Sequence, residues 1–187
     1  LLPAVQKQTG LGPISVFAVA GHDTGSAVAG SPLRDEAPAF LSSGTWSLIG
    51  IEAHRPLIKP ETLKAGFSNE AGVEGTTRFL KNISGMWLVE ELKEEWFQEG
   101  DEYTYENLVD FAKEAEPFGS IIDPDNALFI RPGPMSGRIQ DYCRDHYEPV
   151  PLNQAQLLRT VFDSLACKYR IVLEQLASFT SKPLTEL

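Results

Sequence analysis

The strongest constraint on this fold is one long amphipathic segment near residues 153–179. Its apolar residues recur at steps of three and four, which is the spacing of one face of an α-helix. They are Leu157, Leu158, Val161, Phe162, Leu165, Ala166, Tyr169, Val172, Leu173 and Leu176. Because such a helix cannot leave that face in water, the fold must supply a sheet or other helices to pack against it.

The first eighty residues are made of short apolar runs that stop at glycines. This pattern is typical of strands joined by tight turns, and Gly44 and the segment 72–75 are the predicted turns. The run at 16–20 stops at Gly21 and suits a buried strand, and the runs on either side of Gly44 suit a hairpin. We predict strands at residues 16–20, 39–43, 46–52, 67–71 and 76–80.

From Asn82 onward the apolar residues change to a helical spacing. Gly100 is a typical helix end, Thr104 is a favoured N-cap, and the four prolines between Pro117 and Pro134 indicate a loop. We predict helices at residues 82–100, 104–115, 135–146 and 153–179, and one short edge strand at 128–130.

The order of these elements indicates an α/β fold. Several strands come first, helices follow, and residues 181–187 resemble the start of a further strand. We therefore expect a mixed sheet with flanking helices that is incomplete at its C-terminal strand. Residues 1–81 would form a mainly β part that contains the candidate catalytic aspartate, and residues 82–187 would form a mainly helical part.

Composition restricts the class of protein. The 187 residues suit a single domain, with 42% hydrophobic and 22% charged residues. The formal charge of −10 opposes binding to nucleic acid, which requires clustered cations. No stretch approaches the roughly eighteen apolar residues of a membrane helix, so we expect neither nucleic acid nor a membrane as a partner.

The cysteines and the first residues bear on the cellular compartment. Cys143 and Cys167 are far apart and lack CxxC spacing, which favours reduced thiols in the cytoplasm over a disulfide scaffold or a metal site. The start at Leu1 has neither signal-peptide features nor an initiator methionine. We expect the chain to begin inside a longer, cytoplasmic gene product and to hold no metal through its own side chains.

The most informative polar cluster runs from Gly21 to Ala27, directly after the predicted strand at 16–20. Ligands of open α/β sheets bind beyond the carboxyl ends of strands, so Asp23 is placed to face a substrate. The alternative is that Asp23 only caps a helix from Thr24 to Gly30.

Three more polar positions have structural interpretations of their own. Gly44 permits backbone N–H groups to approach an anion, and the Thr45 hydroxyl can donate to a phosphate oxygen, but the same residues suit a simple turn. Asn82 begins a glycosylation sequon and is most simply the cap of the following helix. Glu90 belongs by default to a solvated helix face.

Three motifs together resemble a known family. They are residues 20–28 (AGHDTGSAV), residues 41–48 (LSSGTWSL), and residues 80–88, in which LKNI runs into GMWL. In this order and spacing they are similar to the rhamnulose-phosphorylating branch of the FGGY carbohydrate kinases, and the segment DSLA at 163–166 continues the resemblance. The likeness spans essentially the whole chain, which covers less than half of such a kinase.

The resemblance implies a fold and a reaction. Family members have two actin-like, ribonuclease H-like α/β domains, and ATP carrying Mg²⁺ meets the sugar in the cleft between them. The chain would be part of the second domain, with the first domain of the same parent chain as its missing partner. The implied reaction transfers the γ-phosphoryl group to the primary hydroxyl of L-rhamnulose. A related deoxyketose such as L-fuculose is one alternative, and an inactive binding or structural fragment is another.

The resemblance also assigns roles to individual residues. Asp23 matches the catalytic base, and an aspartate is ionised at neutral pH and can accept the hydroxyl proton. His22 and Thr24 match its sugar-binding neighbours, and Asn82 matches a further substrate contact. Thr45 matches a residue that contacts an ATP phosphate.

Four further positions carry expectations. Glu90 falls where the family often has a glutamine near ATP, so the charge differs at that contact. Gly25 replaces the more usual alanine, and we expect little consequence. Lys81 and Arg78 would supply local positive charge near the phosphates despite the net charge of −10.

Overall fold

The computed structural model describes residues 1–17, 19–32, 39–180, 184 and 187. The helices within these ranges are α1 (Pro3–Thr9), α2 (Asp23–Gly30), α3 (Pro60–Lys64), α4 (Trp87–Glu99), α5 (Tyr105–Glu114), α6 (Met135–Asp145) and α7 (Gln154–Phe179), with a 3₁₀ turn at Ala127–Phe129. The strands are β1 (Ala39–Ser43), β2 (Trp46–Ala53), β3 (Ser68–Ala71) and β4 (Thr77–Ser84).

The four strands form one sheet in the order β1, β2, β4, β3. All three pairings are antiparallel, so the expectation of a mixed sheet is wrong for the described strands. Parallel neighbours need a crossover of a dozen or more residues, whereas only Gly44 and Thr45 separate β1 from β2. The α/β class itself is confirmed, because helices flank this sheet.

Alternation of side chains along β4 gives the sheet two different faces. Phe79 and Ile83 are fully buried on one face, where they pack with Val172 of α7. Leu80 lies on the opposite face, in a small apolar cluster with Val28 of α2. The sheet is therefore covered by α7 on one side and by α2 on the other.

The apolar face predicted for α7 is confirmed except at Ala166, which is exposed, and the helix packs in two cores. The first half of the helix, from Leu157 to Leu165, packs with buried residues of α4, α5 and α6. The second half packs on the sheet. Tyr169 contacts both cores, and its hydroxyl lies 2.6 Å from Ser47 Oγ in β2. Through this arrangement α7 connects the helical part of the chain to the sheet.

Two polar residues of α7 hold the proline-rich loop that follows α5. Asp163 accepts hydrogen bonds from the Phe118 N–H at 2.6 Å and from Arg159 Nε at 2.8 Å. Ser164 Oγ accepts from the Ile122 N–H at 2.9 Å. Both residues belong to the DSLA segment, which in this chain holds the loop against α7 by hydrogen bonds.

The predicted strand at 16–20 is wrong for the residues that the structure describes. Residues 16, 17, 19 and 20 form no strand, and Phe17 is 83% exposed, while Ala18 lies outside the described residues. A strand is stable only where a second strand accepts and donates its ladder hydrogen bonds. No described strand pairs with this segment.

The helix predicted from Asn82 begins later than expected. Residues 82–84 belong to β4 and pair with β2, and α4 starts at Trp87 with Met86 as its N-cap residue. The idea that Asn82 caps this helix is therefore wrong. The edge strand predicted at 128–130 is also wrong, because residues 127–129 form the 3₁₀ turn.

Several local predictions are confirmed. Gly100 ends α4 with a φ of 107°, a conformation that glycine adopts without strain. Thr104 caps α5 by accepting a hydrogen bond from the Asn107 N–H at 3.2 Å. Residues 1–81 hold β1, β2, β3, most of β4 and three short helices, and the division into a mainly β part and a mainly helical part stays a prediction. The strand start expected at 181–187 falls almost entirely outside the described residues.

Among the described helices, none combines the length and the apolar character that crossing a bilayer requires.

Candidate active site

A pocket of about 460 Å³ lies where the N-terminus of α2 meets the sheet. One row of pocket residues crosses the sheet, because Ser42, Leu48 and Asn82 pair in register across β1, β2 and β4. The pocket is lined by His22, Asp23, Thr24, Ser42, Gly44, Thr45, Trp46, Leu48, Glu70 and Asn82. Five of the six candidate site residues therefore share one pocket, and the sixth, Glu90, lies elsewhere.

Asp23 is the first residue of α2, and one of its two carboxylate oxygens is engaged in hydrogen bonds. Oδ1 accepts a hydrogen bond from the Thr24 N–H at 2.7 Å and lies 2.9 Å from His22 Nδ1. His22 Nδ1 also lies 3.3 Å from the Thr24 nitrogen. Because the distance from the Thr24 nitrogen to Asp23 Oδ1 is shorter, we assign the Thr24 N–H to Asp23. His22 Nδ1 can then carry a proton and donate it to the same carboxylate. Oδ2 makes no hydrogen bond within the described residues, and the side chain is 92% exposed.

The alternative interpretation of Asp23 as a helix cap is correct about the helix and wrong about the cap. A helix does follow, but its N-cap residue is His22, and Asp23 is already helical. A carboxylate in the first helical turn is stabilised by the partial positive charge of the helix N-terminus. This position holds a negative charge at the pocket and leaves one oxygen accessible.

The turn at Gly44 and Thr45 is fastened to the start of α4 by its carbonyl groups. The Thr45 carbonyl accepts hydrogen bonds from the Gly85 N–H at 3.2 Å and from the Trp87 N–H at 3.0 Å, and the Gly44 carbonyl accepts from the Met86 N–H at 2.9 Å. The Thr45 hydroxyl makes no hydrogen bond within the described residues. The turn is therefore held by its backbone, and the hydroxyl is available to a ligand.

Asn82 and Lys81 are neighbours on β4 and point to opposite faces of the sheet. Asn82 reaches the pocket, whereas Lys81 lies on the α7 face, with Nζ 3.5 Å from Gln175 Oε1 and 5.8 Å from the ring centre of Phe67. Burial lowers the pKa of Lys81, and the nearby charge of Lys168 lowers it further. The expectation that Lys81 supplies charge to the phosphates is wrong, because strand alternation turns it away.

Glu90 lies on α4 in a separate surface pocket with Lys93 and Phe97. Its carboxylate accepts a hydrogen bond from the Tyr105 hydroxyl, and this bond raises the pKa of Tyr105. The structure therefore does not bring Glu90 together with the other five candidates. Its contact with ATP stays a prediction.

Three more residues lie at or near the pocket, of which only Arg78 carried an expectation from the sequence, as a source of positive charge. Trp46 and Glu70 line it directly, and Trp46 is 53% exposed. Arg78 lies opposite Glu70 in the register of β3 and β4, and its Nη2 donates to Glu70 Oε2 at 3.0 Å. The alternating pattern of β4 places Arg78 on the same face as Asn82, and that signal was available in the sequence.

Gly25 is a tighter position than its sequence context suggested. A Cβ added there would lie 3.2 Å from Arg78 Cζ, 3.2 Å from Arg78 Nη2 and 3.0 Å from Ala20 Cβ. Most real Cβ atoms have no neighbours this close. An alanine here would require Arg78 to move by a few tenths of an ångström, so the expected small consequence of the glycine stays a prediction.

Residues 39–187 match the C-terminal domain of the FGGY family of carbohydrate kinases. The chain belongs to the FGGY family. This membership confirms the actin-like, ribonuclease H-like fold class that the sequence motifs indicated. The FGGY match includes the Thr45 turn and Asn82, while the α2 segment precedes it.

Curated relatives in the FGGY family resemble the chain over nearly all of its length. A rhamnulokinase from Bacteroides thetaiotaomicron is 50% identical over 187 residues, which are 100% of this chain and 38% of that protein. Rhamnulokinases from Pectobacterium carotovorum and Mannheimia succiniciproducens are 47% and 42% identical over 174 residues, which are 93% of this chain. These alignments cover 34% and 35% of the two relatives, so the chain spans little more than a third of such proteins.

Proposed function

We propose that the full protein containing this chain is a sugar kinase for L-rhamnulose. It transfers the γ-phosphoryl group of ATP to the primary hydroxyl of the sugar and releases L-rhamnulose 1-phosphate and ADP. The observation that carries this proposal is the single pocket in which Asp23, its neighbours His22 and Thr24, Asn82 and the Thr45 turn come together. Family membership and the names of the similar proteins support the same reaction class.

Asp23 acts as the general base of this reaction. The hydroxyl oxygen of the sugar bonds to the γ-phosphorus, the bond from that phosphorus to the bridging oxygen of ADP breaks, and the hydroxyl proton passes to Asp23. Oδ2 receives the proton, because Oδ1 already accepts the Thr24 N–H. His22 Nδ1, 2.9 Å from Oδ1, orients the carboxylate toward the pocket.

Asn82 and the N-terminus of α2 bind the sugar from two sides of the pocket. The Asn82 amide offers donors and an acceptor, and it makes no hydrogen bond within the described residues. Thr24 is buried beside it and lines the pocket. Sugar hydroxyls need donors and acceptors at fixed positions, and a strand residue facing a helix terminus supplies them.

Thr45 binds the nucleotide. Its exposed hydroxyl donates to a phosphate oxygen of ATP, while the carbonyl groups of the same turn stay engaged with α4. Mg²⁺ enters with ATP as part of the substrate and offsets negative charge on the phosphate oxygens. The aspartate, amide and hydroxyl oxygens of the pocket are compatible with such a substrate.

The thiols are compatible with the cytoplasm, where ATP is abundant and disulfides are rare. Cys143 and Cys167 are both free. Cys143 is buried, and burial raises its pKa to about 11, so little of it is thiolate near neutral pH. We therefore assign the reaction to the cytoplasm.

Coupled measurement of ADP release by the full-length protein tests the proposal. L-rhamnulose and L-fuculose are compared side by side, with a reaction lacking sugar as the control, and phosphorus NMR identifies the phosphorylated position. We expect kcat/KM for L-rhamnulose to exceed that for L-fuculose by about tenfold or more, which a single added or lost hydrogen bond can produce. A preference for L-fuculose, or no release above the control with L-rhamnulose, would refute the proposed substrate.

A further inference from the structure

A buried arginine lies beneath the first turn of α2. Arg78 is 2% exposed, its Nη2 donates to Glu70 Oε2 at 3.0 Å, and its Nε donates to the Ala71 carbonyl at 3.4 Å. Its Nη1 is buried and has no hydrogen-bond partner within the described residues. A buried cation with an unsatisfied donor is costly, and an apolar residue would fill the same space at lower cost.

The contact between Arg78 and α2 is close because Gly25 has no side chain. A Cβ at Gly25 would lie 3.2 Å from both Cζ and Nη2 of Arg78. Gly25 is two residues after Asp23, in the same helical turn. The guanidinium therefore lies close beside this turn, and we expect a movement of Arg78 to alter the packing of the turn that carries Asp23.

Glu70 keeps the guanidinium in this position. It faces Arg78 across the β3–β4 ladder, and it also lines the pocket that contains Asp23. A cation near a helix N-terminus is repelled by the helix dipole, so Arg78 needs a carboxylate to hold it there. Glu70 is the carboxylate that forms a salt bridge with Arg78 among the described residues.

We propose that Arg78 and Glu70 are a positioning pair that supports the first turn of α2 and thereby aims the carboxylate of Asp23. This inference rests on the proposed function, because Asp23 is the general base only in that reaction. Neither residue of the pair touches the reacting atoms. Their effect passes through the close approach of the Arg78 guanidinium to the turn at Gly25.

Two single variants of the full-length protein disturb the contact from opposite sides. Glu70→Gln removes the charge that holds Arg78, and Arg78→Met removes the guanidinium group while keeping an apolar side chain of similar length. For each variant we expect kcat with L-rhamnulose to fall about tenfold or more and the KM for ATP to stay within about twofold. Because both changes break one contact, the double variant should lose much less than the product of the two single losses.

Hydrogen exchange of α2 amides in the unliganded protein provides a readout that is independent of activity. In both variants, amides in a peptide covering residues 22–30 should exchange faster than in the parent protein. Exchange in peptides of α7 should be the same as in the parent protein. Matched controls are Glu174→Gln and Arg170→Met, which break an exposed pair on α7. We expect the controls to leave both kinetics and α2 exchange unchanged.

The outcomes separate this inference from the proposed function. Absence of kinase activity in the parent protein would refute the proposed function, and α2 exchange alone would then decide whether the pair supports this turn. Unchanged α2 exchange in Glu70→Gln would overturn the positioning pair. A raised KM for the sugar at unchanged kcat would also overturn it, because that pattern means that Glu70 binds the sugar directly. Multiplicative losses in the double variant would overturn the shared contact.

Discussion

At the scale of single residues, the carbonyl and the hydroxyl of Thr45 are in different surroundings. Its carbonyl holds the start of α4, whereas its exposed hydroxyl is without a hydrogen bond among the described residues. The sequence alone left open whether the hydroxyl serves a turn or a phosphate. The structure shows that the backbone holds the turn, which is the premise of the first prediction.

We predict that Thr45→Val in the full-length protein weakens ATP use and leaves stability nearly unchanged. A hydrogen bond to a charged group contributes about 1.5 to 3 kcal/mol, so kcat/KM for ATP should fall roughly ten- to hundredfold. The melting temperature should stay close to that of the parent, because valine keeps the branched shape. Steady-state kinetics and calorimetry on the same preparation measure both quantities.

Thr62→Val is the matched control for this prediction. The Thr62 hydroxyl is buried and donates to the Lys59 carbonyl at 2.9 Å, so its loss should lower the melting temperature without changing ATP kinetics. If Thr45→Val behaved like Thr62→Val, Thr45 would not belong to the nucleotide site.

The site could be predicted only in part at this scale. His22, Asp23 and Thr24 stand in one contiguous motif, so their common location follows from the sequence. Glu70 and Arg78 are eight positions apart, and their contact depends on the register of β3 against β4, which one sequence does not specify.

At the scale of elements, the junction between β4 and α4 determines the shape of the Thr45 turn. Gly85 lies at this junction, and a Cβ there would be 2.6 Å from the Gly44 carbonyl oxygen and 2.6 Å from Ser47 Oγ. The strand end and the turn approach this closely only with glycine. A larger residue must push the turn away from α4.

We predict that Gly85→Ala destabilises the full-length protein by about 1 to 3 kcal/mol, the usual range for overpacking, and also raises the KM for ATP. Urea unfolding and steady-state kinetics measure the two effects. Gly44→Ala is the comparison for stability alone, because the nearest atom to its added Cβ is 3.6 Å away. Equal unfolding free energies for the two variants would contradict the packing argument.

A charged cluster holds the loop after α5 to α7 and to the end of β4. Lys168 Nζ lies 2.8 Å from Asp123 Oδ1 and 2.8 Å from Asp125 Oδ2, and Asp125 Oδ1 accepts from the Ser84 N–H at 2.7 Å. Burial opposes both charged forms, but these hydrogen bonds prevail, so the pKa of Asp123 is lowered and the pKa of Lys168 is raised.

The signs of these shifts define a pH window for the stability that the cluster contributes. Asp123 has a lowered pKa, so its contribution is present above its ordinary value of 3.8 and is lost as pH falls through the folded value. Lys168 has a raised pKa, so its contribution is present below 10.5 and is lost as pH rises through the folded value.

We predict that Lys168→Met lowers the free energy of unfolding by about 1 to 2 kcal/mol near neutral pH, a value reduced because Asp123 is half exposed. The difference from the parent should shrink below about pH 4 and above about pH 10.5. The free energy of unfolding, measured for both proteins across this pH range, checks this prediction. The control is Lys113→Met, which breaks an exposed pair with Asp110. A difference that does not vary with pH would contradict the assignment to these groups.

Prediction from the sequence succeeded for elements whose structure is indicated by a local sequence pattern. The hairpin around Gly44, the helix end at Gly100 and the long helix α7 are all local patterns, and all are confirmed. It failed at 16–20 and 82–84, because whether a segment is a strand depends on a partner elsewhere in the chain. The three added strand residues at 82–84 are also what bring Asn82 to the pocket.

At the scale of the whole molecule, the pocket is open and the side chain of Asp23, the proposed base, is almost fully exposed. Phosphoryl transfer to a sugar in preference to water needs a site from which water is excluded. The chain spans 34% to 38% of the three relatives compared above, and the family resemblance implies a cleft between this domain and a second one. The remaining part of the parent protein is therefore expected to close this site.

We predict that the 187-residue chain by itself has no measurable kinase activity and binds ATP with a Kd in the millimolar range or weaker. A single turn that offers one hydroxyl and a few backbone groups supplies about 4 kcal/mol of binding free energy or less. Isothermal titration calorimetry of the isolated chain, with the full-length protein as the positive control, measures this. Submicromolar binding would show that the site is complete without the rest of the protein.

The most direct test of the central claim is the kcat of full-length Asp23→Asn with L-rhamnulose at saturating ATP. The change is nearly isosteric, so the unfolding midpoint should match that of the parent, but the amide cannot accept the hydroxyl proton. We expect kcat to fall roughly 10²- to 10⁴-fold, the usual contribution of a general base, or about 3 to 5 kcal/mol of barrier. A loss of less than about threefold in a folded variant would contradict the role of Asp23 as the base.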